Sequence, residues 1–113
     1  MERRSSQRIV VTLDAELILN DTSFAGVIEN ISKEGLYIKI LPSEKLIEFI
    51  SGTKIEIKIQ LSSGEILNLH CMVIRSEKIL PDSLTSYVGM EIIDPPSEYE
   101  DFLKEQKYIN LYE

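Results

Sequence analysis

Residues 54–61, Lys-Ile-Glu-Ile-Lys-Ile-Gln-Leu, alternate polar and apolar without a break. In a strand, successive side chains point to opposite faces, so a period of two predicts a strand with one buried face. The same alternation recurs along the chain. In residues 9–19, Ile9, Val11, Leu13, Ala15, Leu17 and Leu19 fall on one side, with Thr12, Asp14 and Glu16 opposite. Asn20-Asp21-Thr22 is turn chemistry, and residues 23–31 return as a second strand, in which Gly26 marks a bulge or a close backbone approach. Leu36, Ile38 and Ile40 alternate with Tyr37 and Lys39 in a third strand.

Pro42-Ser43 interrupts the pattern, and Leu46, Ile47, Phe49 and Ile50 have the near-helical spacing of a short helical turn. Ser62-Ser63-Gly64 is a hairpin loop that leads into a strand over residues 65–76, with Arg75 at its end. A loop over 78–83 contains Pro81-Asp82, and residues 85–93 form a sixth strand. Pro95-Pro96 stops the sheet. Ser97 followed by Glu100 has the form of a capping box, which predicts a helix over 97–107 with Tyr99, Phe102 and Leu103 covering part of the sheet. The expected fold class is all-β with a C-terminal helix. Six short strands favour a six-stranded antiparallel β-barrel, because closure removes exposed edges.

A length of 113 residues suits a single domain over 1–113: a flexible basic arm (1–8), the barrel (9–94) and the helix (97–107). No apolar run approaches the roughly 20 residues a membrane-spanning helix needs. The N-terminus is charged rather than signal-like, and Cys71 has no partner for an internal disulfide, so a cytoplasmic location is expected.

The net charge of -7 argues against DNA, RNA or an anionic membrane as partner. The charge is uneven, however. Residues 1–10 hold three Arg against one Glu, a net of +2, so the remainder sums to -9. A short basic arm on an acidic body suits a small anionic ligand better than a polyanion. Single-stranded nucleic acid would call for aromatic side chains along a basic groove, and here three Phe and five Tyr are scattered through an acidic body.

An enzyme is not expected. His70 and Cys71 are adjacent on a strand and therefore point to opposite faces, and one of each is too few for a zinc site. The acidic residues alternate with apolar ones and read as solvated faces. No phosphate loop or dinucleotide-binding glycine turn is present.

Two segments carry recognisable binding chemistry. Arg3, Arg4 and Arg8 lie just ahead of the first strand. Guanidinium is a planar, permanently charged fork that matches both phosphate and the O6/N7 edge of guanine. The turn Asn30-Ile31-Ser32-Lys33-Glu34-Gly35 adds an amide, a hydroxyl and a glycine, all expected to point outward. Arg4 to Arg8 reads RxxxR and Asn30 to Gly35 reads [D/N]xSxxG, with 21 residues between the motifs.

In these motifs, their spacing and the segment Tyr87-Val88-Gly89-Met90-Glu91-Ile92, the chain resembles the PilZ domain over nearly its whole length. The resemblance implies a six-stranded barrel with a C-terminal helix that binds cyclic di-GMP, with no other cofactor. Carried over by position, Arg4 and Arg8 would grip guanine edges and phosphates, with Arg3 auxiliary. Asn30 and Ser32 would hold a guanine and a nearby phosphate, Gly35 would shape the turn, and Arg75 would stack on a base. Two departures stand out. Leu36 occupies a position where many members have a second glycine, which would either narrow the pocket or serve the strand's apolar face. Asn30 replaces the commoner Asp, forgoing a charge-assisted bond to guanine N–H donors.

The implied function is a receptor that changes the conformation of its N-terminal arm on binding and regulates an effector protein in motility, pili or exopolysaccharide export. The alternative is a PilZ-like adaptor that acts by protein contact alone. A monomer or weak dimer is expected.

Overall fold

The computed structural model describes residues 8–42, 49–78 and 85–111. Six strands and one helix follow in chain order: β1 (Ile9–Leu19), β2 (Thr22–Ile31), β3 (Gly35–Ile40), β4 (Lys54–Gln60), β5 (Ile66–Lys78), β6 (Ser86–Ile93) and α1 (Ser97–Leu111). The strands close into a barrel in the order β1-β2-β3-β6-β5-β4, and every neighbouring pair is antiparallel. This is the architecture that the alternation predicts.

The turns follow their chemistry. β1 and β2 are joined by Asn20 and Asp21 alone, with φ of 52° and 65°. A two-residue hairpin whose twist matches its strands needs both residues left-handed, and Asn and Asp tolerate that conformation best after glycine. Gly64 (φ 95°) supplies the same freedom between β4 and β5, where the Leu61 amide bonds the Glu65 carbonyl.

The inward-facing residues form one core, with Leu17, Ile28, Ile38, Ile57, Leu69, Val73 and Val88 fully buried. Burying each such side chain contributes about 1.5–3 kcal/mol. Gly26 is a close approach, as one of its two readings held: a Cβ there would lie 2.9 Å from Leu17 Cδ1 and 3.0 Å from the Lys39 carbonyl oxygen. The bulge falls elsewhere, at Glu29.

Helix α1 begins at Ser97, where the predicted span starts, and runs past Lys107 to Leu111. The Pro96 carbonyl accepts from the amides of Tyr99 and Glu100, so Pro96 occupies the cap and Ser97 the first helical position. The expected capping box, which needs Ser97 at the cap, is therefore out of register. Tyr99, Phe102 and Leu103 are buried as predicted. They lay α1 across the end of the barrel where β2 hands over to β3 and β4 to β5.

The proposed helical turn at 46–50 lies largely outside the described residues. Of its members, Phe49 is buried edge-on against Phe24 (centroids 5.8 Å apart) and Ile50 is exposed. β5 extends to Lys78, so Arg75 sits inside a strand rather than at its end.

Candidate functional site

Along β2 the even-numbered residues Phe24, Gly26 and Ile28 face the core, and continuing that alternation would bury Asn30. It does not continue, because Glu29 is an extra residue against β3, where Ile28 pairs with Ile38 but Asn30 already pairs with Tyr37. The bulge turns Asn30 outward and puts Ile31 into the core. A matching irregularity in β1 between Val10 and Leu13 keeps Val10 opposite Asn30. Arg8, just ahead of β1, then donates a guanidinium N–H to Asn30 Oδ1. The root of the basic arm and the polar turn therefore meet across 22 positions of sequence.

The turn itself is clamped. The Ser32 hydroxyl accepts from the Gly35 amide at 3.2 Å and lies 3.3 Å from the Gly35 carbonyl oxygen, which also receives the Ser32 amide at 2.8 Å. Ser32 is only 3% exposed, so the expectation that its hydroxyl points outward fails. The Tyr99 hydroxyl, fully buried on α1, donates to the Ser32 carbonyl at 2.6 Å, and the Ile92 amide donates to Glu34 at 2.7 Å. Burial holds the Tyr99 phenol protonated well above its ordinary range.

Gly35 is required for a different reason from the one its turn position suggests. A Cβ there would lie 2.4 Å from the Met90 carbonyl oxygen, so only glycine lets β3 lie this close to β6. Leu36 is buried between Ile31 and Met90. It serves the apolar face and does not narrow an outer pocket.

A second bulge does for Arg75 what the first does for Asn30. Val73 faces the core opposite Met90, Ile74 is the extra residue, and Arg75 pairs with Gly89 on the outside. Cross-strand partners thus form one continuous outer row: Val10, Asn30, Tyr37, Gly89 and Arg75. Neighbouring strands lie about 4.8 Å apart, so the row spans roughly 19 Å.

Three residues of this row, Val10, Tyr37 and Gly89, are not site candidates from the sequence, and two of them shape its surface next to Arg75. Tyr37 stacks on Tyr87 (centroids 5.5 Å apart, planes at 18°) and bonds Glu77 at 3.3 Å. Its phenol is held above the usual value by burial first, then by the bond to and charge of Glu77, with Arg75 opposing. Gly89 leaves a notch, since a Cβ there would meet Arg75 Cγ at 3.8 Å and Tyr37 Cδ1 at 4.0 Å. The outward parity of both was legible, but nothing in the sequence shows that they neighbour Asn30.

Arg3 and Arg4 lie outside the described residues. His70 is exposed and Cys71 fully buried, on opposite faces as their adjacency requires, and burial pushes the Cys71 thiol up to about 12. Among the described residues no three His, Cys, Asp or Glu side chains gather as a metal would need. No described helix is long and apolar enough to cross a membrane.

The fold and motifs have clear relatives. The PilZ domain family matches residues 2–108. No curated protein sequence matches the chain. Among solved structures, the inhibitor of motility MotI/DgrA of Bacillus subtilis superposes with a TM-score of 0.77 at 19% identity, over 98% of this chain and 52% of that one. The chain therefore spans about half the length of that protein. The PilZ domain of YcgR from Escherichia coli, solved with c-di-GMP, gives 0.70 at 15% identity over 91% of this chain and 87% of that one. The MrkH–c-di-GMP complex of K. pneumonia gives 0.66 at 14% identity over 97% and 50%. On the span of the family match, and with a barrel, helix and motif order that agree with it, the chain belongs to the PilZ domain family.

Proposed function

We propose that this chain is a cytoplasmic cyclic di-GMP receptor domain whose basic arm closes over the dinucleotide and so regulates an effector protein. The observation that carries this reading is the bond from Arg8 to Asn30, which brings the two motifs to one place on the outer face. The reading is also supported by the family, and by relatives such as YcgR and MrkH solved with that ligand.

In this mechanism Arg8, with Arg4 and Arg3 from the arm, supplies forked donors to guanine O6/N7 and phosphate. Asn30 contacts a guanine edge once Arg8 swings from it to the ligand. Ser32 and Gly35 act indirectly, by holding the turn rigid. Tyr37 and Arg75 flank the Gly89 notch, where a purine ring would lie flat against the barrel and beneath the guanidinium. The chain binds and signals rather than catalyses.

Each bidentate Arg–guanine contact is worth roughly 1–3 kcal/mol. Ordering the arm costs about 1–2 kcal/mol per residue. The expected affinity is micromolar, about 8 kcal/mol in total, and salt weakens it because the arm's contacts are ionic. The ordered arm would present a new surface to an effector in motility, pilus function or exopolysaccharide export.

Isothermal titration of the wild type and Arg8→Ala with cyclic di-GMP tests the site. Binding should be measurable in the first and abolished in the second, and equal binding would refute the assignment. The mutual pairing of Arg8 and Asn30 also favours a second reading, an adaptor working by protein contact alone. A wild type that takes up no dinucleotide would select it.

A further inference from the structure

The outer row uses one flank of the barrel, and helix α1 borders a second, unrelated feature. Between α1 and the β4–β5 hairpin lies a cleft of about 790 Å³. Its floor is apolar, formed by Leu61 and Phe102 with Ile66, which is 51% exposed although it opens a strand. Its rim is acidic. Glu65 comes from the hairpin, and Glu98, Asp101 and Glu105 come from the helix; among the described residues no Lys or Arg lines it.

The helix is sided to match. At 100° per residue, positions 98, 101, 102 and 105 share the flank toward the cleft, while Glu100, Lys104 and Lys107 point away from it. Lys104 and Lys107 of α1 thus centre on the other flank and do not line the cleft. From Glu98 to Glu105 the acids span seven residues, or roughly 10 Å of helix. That length suits two turns of a helix or a short extended segment.

We propose that this cleft is a docking surface for a short basic segment of a partner protein, in which one or two aliphatic side chains seat on Ile66 and Phe102 while flanking Lys or Arg face the acidic rim. Charge complementarity selects the occupant. An anionic lipid surface, a nucleic acid or an acidic peptide would be repelled by the four carboxylates of the rim, whereas a cationic amphipathic segment satisfies both floor and rim. The proposal names the kind of effector that the receptor reading leaves open. It needs no dinucleotide, so either reading can fail alone.

The test uses the full chain and a short fluorescent peptide of lysines around two leucines, beside its counterpart with glutamate for lysine. Anisotropy reads affinity, and amide chemical shifts locate the site. Asp101→Lys, Glu105→Lys and Glu100→Lys change net charge equally on exposed positions of one helix, but only the first two touch the rim. The lysine peptide should bind and shift amides of 61–66 and 98–106. Asp101→Lys and Glu105→Lys should each weaken it about threefold to tenfold, and Glu100→Lys less than about twofold. Ile66→Ser, at an exposed position, should weaken it while leaving the fold intact.

Equal loss in all three charge variants, shifts mapping elsewhere, equal binding of the glutamate peptide, or no binding at all would overturn the proposal. Tighter binding in an Arg3→Glu, Arg4→Glu variant would also overturn it, by marking the chain's own basic leader as the occupant.

Discussion

Replacing Gly35 by Ala probes the contact on which both barrel closure and the polar turn depend. The added Cβ would lie 2.4 Å from the Met90 carbonyl oxygen, against a practical minimum of 3.0 Å, so something must move by at least the 0.6 Å difference. Neither neighbour is a flexible side chain. The obstacle is β6 backbone, paired to β3 through Gly35–Glu91 and Leu36–Met90, so relief must open that pairing. The adjacent bond from Ile92 to Glu34 would stretch with it. Overpacking of this kind costs about 1–3 kcal/mol, and with backbone on both sides the upper half of that range applies. In a urea titration the midpoint should fall by about 1–2 M for a domain of this size.

Gly89→Ala is the control. Its Cβ meets only side-chain atoms at ordinary distance, so stability should be unchanged within about 0.5 kcal/mol. In the proposed receptor reading the methyl fills the notch between Tyr37 and Arg75 and weakens cyclic di-GMP binding in a fold that is otherwise intact. A Gly35→Ala protein with the wild-type midpoint would refute the close-approach argument outright.

Tyr99→Phe removes the hydroxyl that reaches the Ser32 carbonyl and should cost about 1–2 kcal/mol in the same titration; a neutral result would mean the bond adds nothing to the turn. Arg75→Ala, at an exposed position, should leave the midpoint unaltered but weaken dinucleotide binding by about tenfold, measured by calorimetry. Cys71 gives a pH signature. Its folded thiol is raised to about 12 from 9.0, so its contribution is intact below pH 9 and is lost as pH climbs toward 12, at about 1.4 kcal/mol per unit. Cys71→Val should flatten that part of the stability-against-pH curve relative to wild type, and superimposable slopes would contradict the burial argument.

Alternation is a strong signal because each strand here has one dry face. The strand pattern of residues 9–19 and 54–60 could therefore be read without knowing any partner. Turn chemistry was equally local: Asn20-Asp21 and Gly64 announce their own backbone angles. What could not be read was register. The bulges at Glu29 and Ile74 carry no residue that marks them, yet they decide whether Asn30 and Arg75 face core or solvent. Ser32 departs from its expected outward role for a related reason. A hydroxyl in a turn looks available until the fold shows that the Gly35 amide and carbonyl consume it.

The clamped turn also bears on how a ligand could be held at modest affinity by so few side chains. Ordering a residue costs about 1–2 kcal/mol, so three loop residues fixed only on binding would consume about 3–6 kcal/mol of the contacts made there. Here residues 32–34 are fixed by the fold itself. Ser32 is tied to Gly35 and to Tyr99 of the helix, Glu34 is tied to β6, and Gly35 is wedged against Met90. In the proposed mechanism the entropic cost then falls on the arm alone. In that proposal the division gives the switch its direction, because the turn would stay the same on binding and only the leader would change. In the proposed mechanism a variant that loosened the turn without touching Asn30 or Arg8 would lose affinity through this term, which is why Tyr99, buried on α1 and bonded to the Ser32 carbonyl, belongs to the same physical unit as the site.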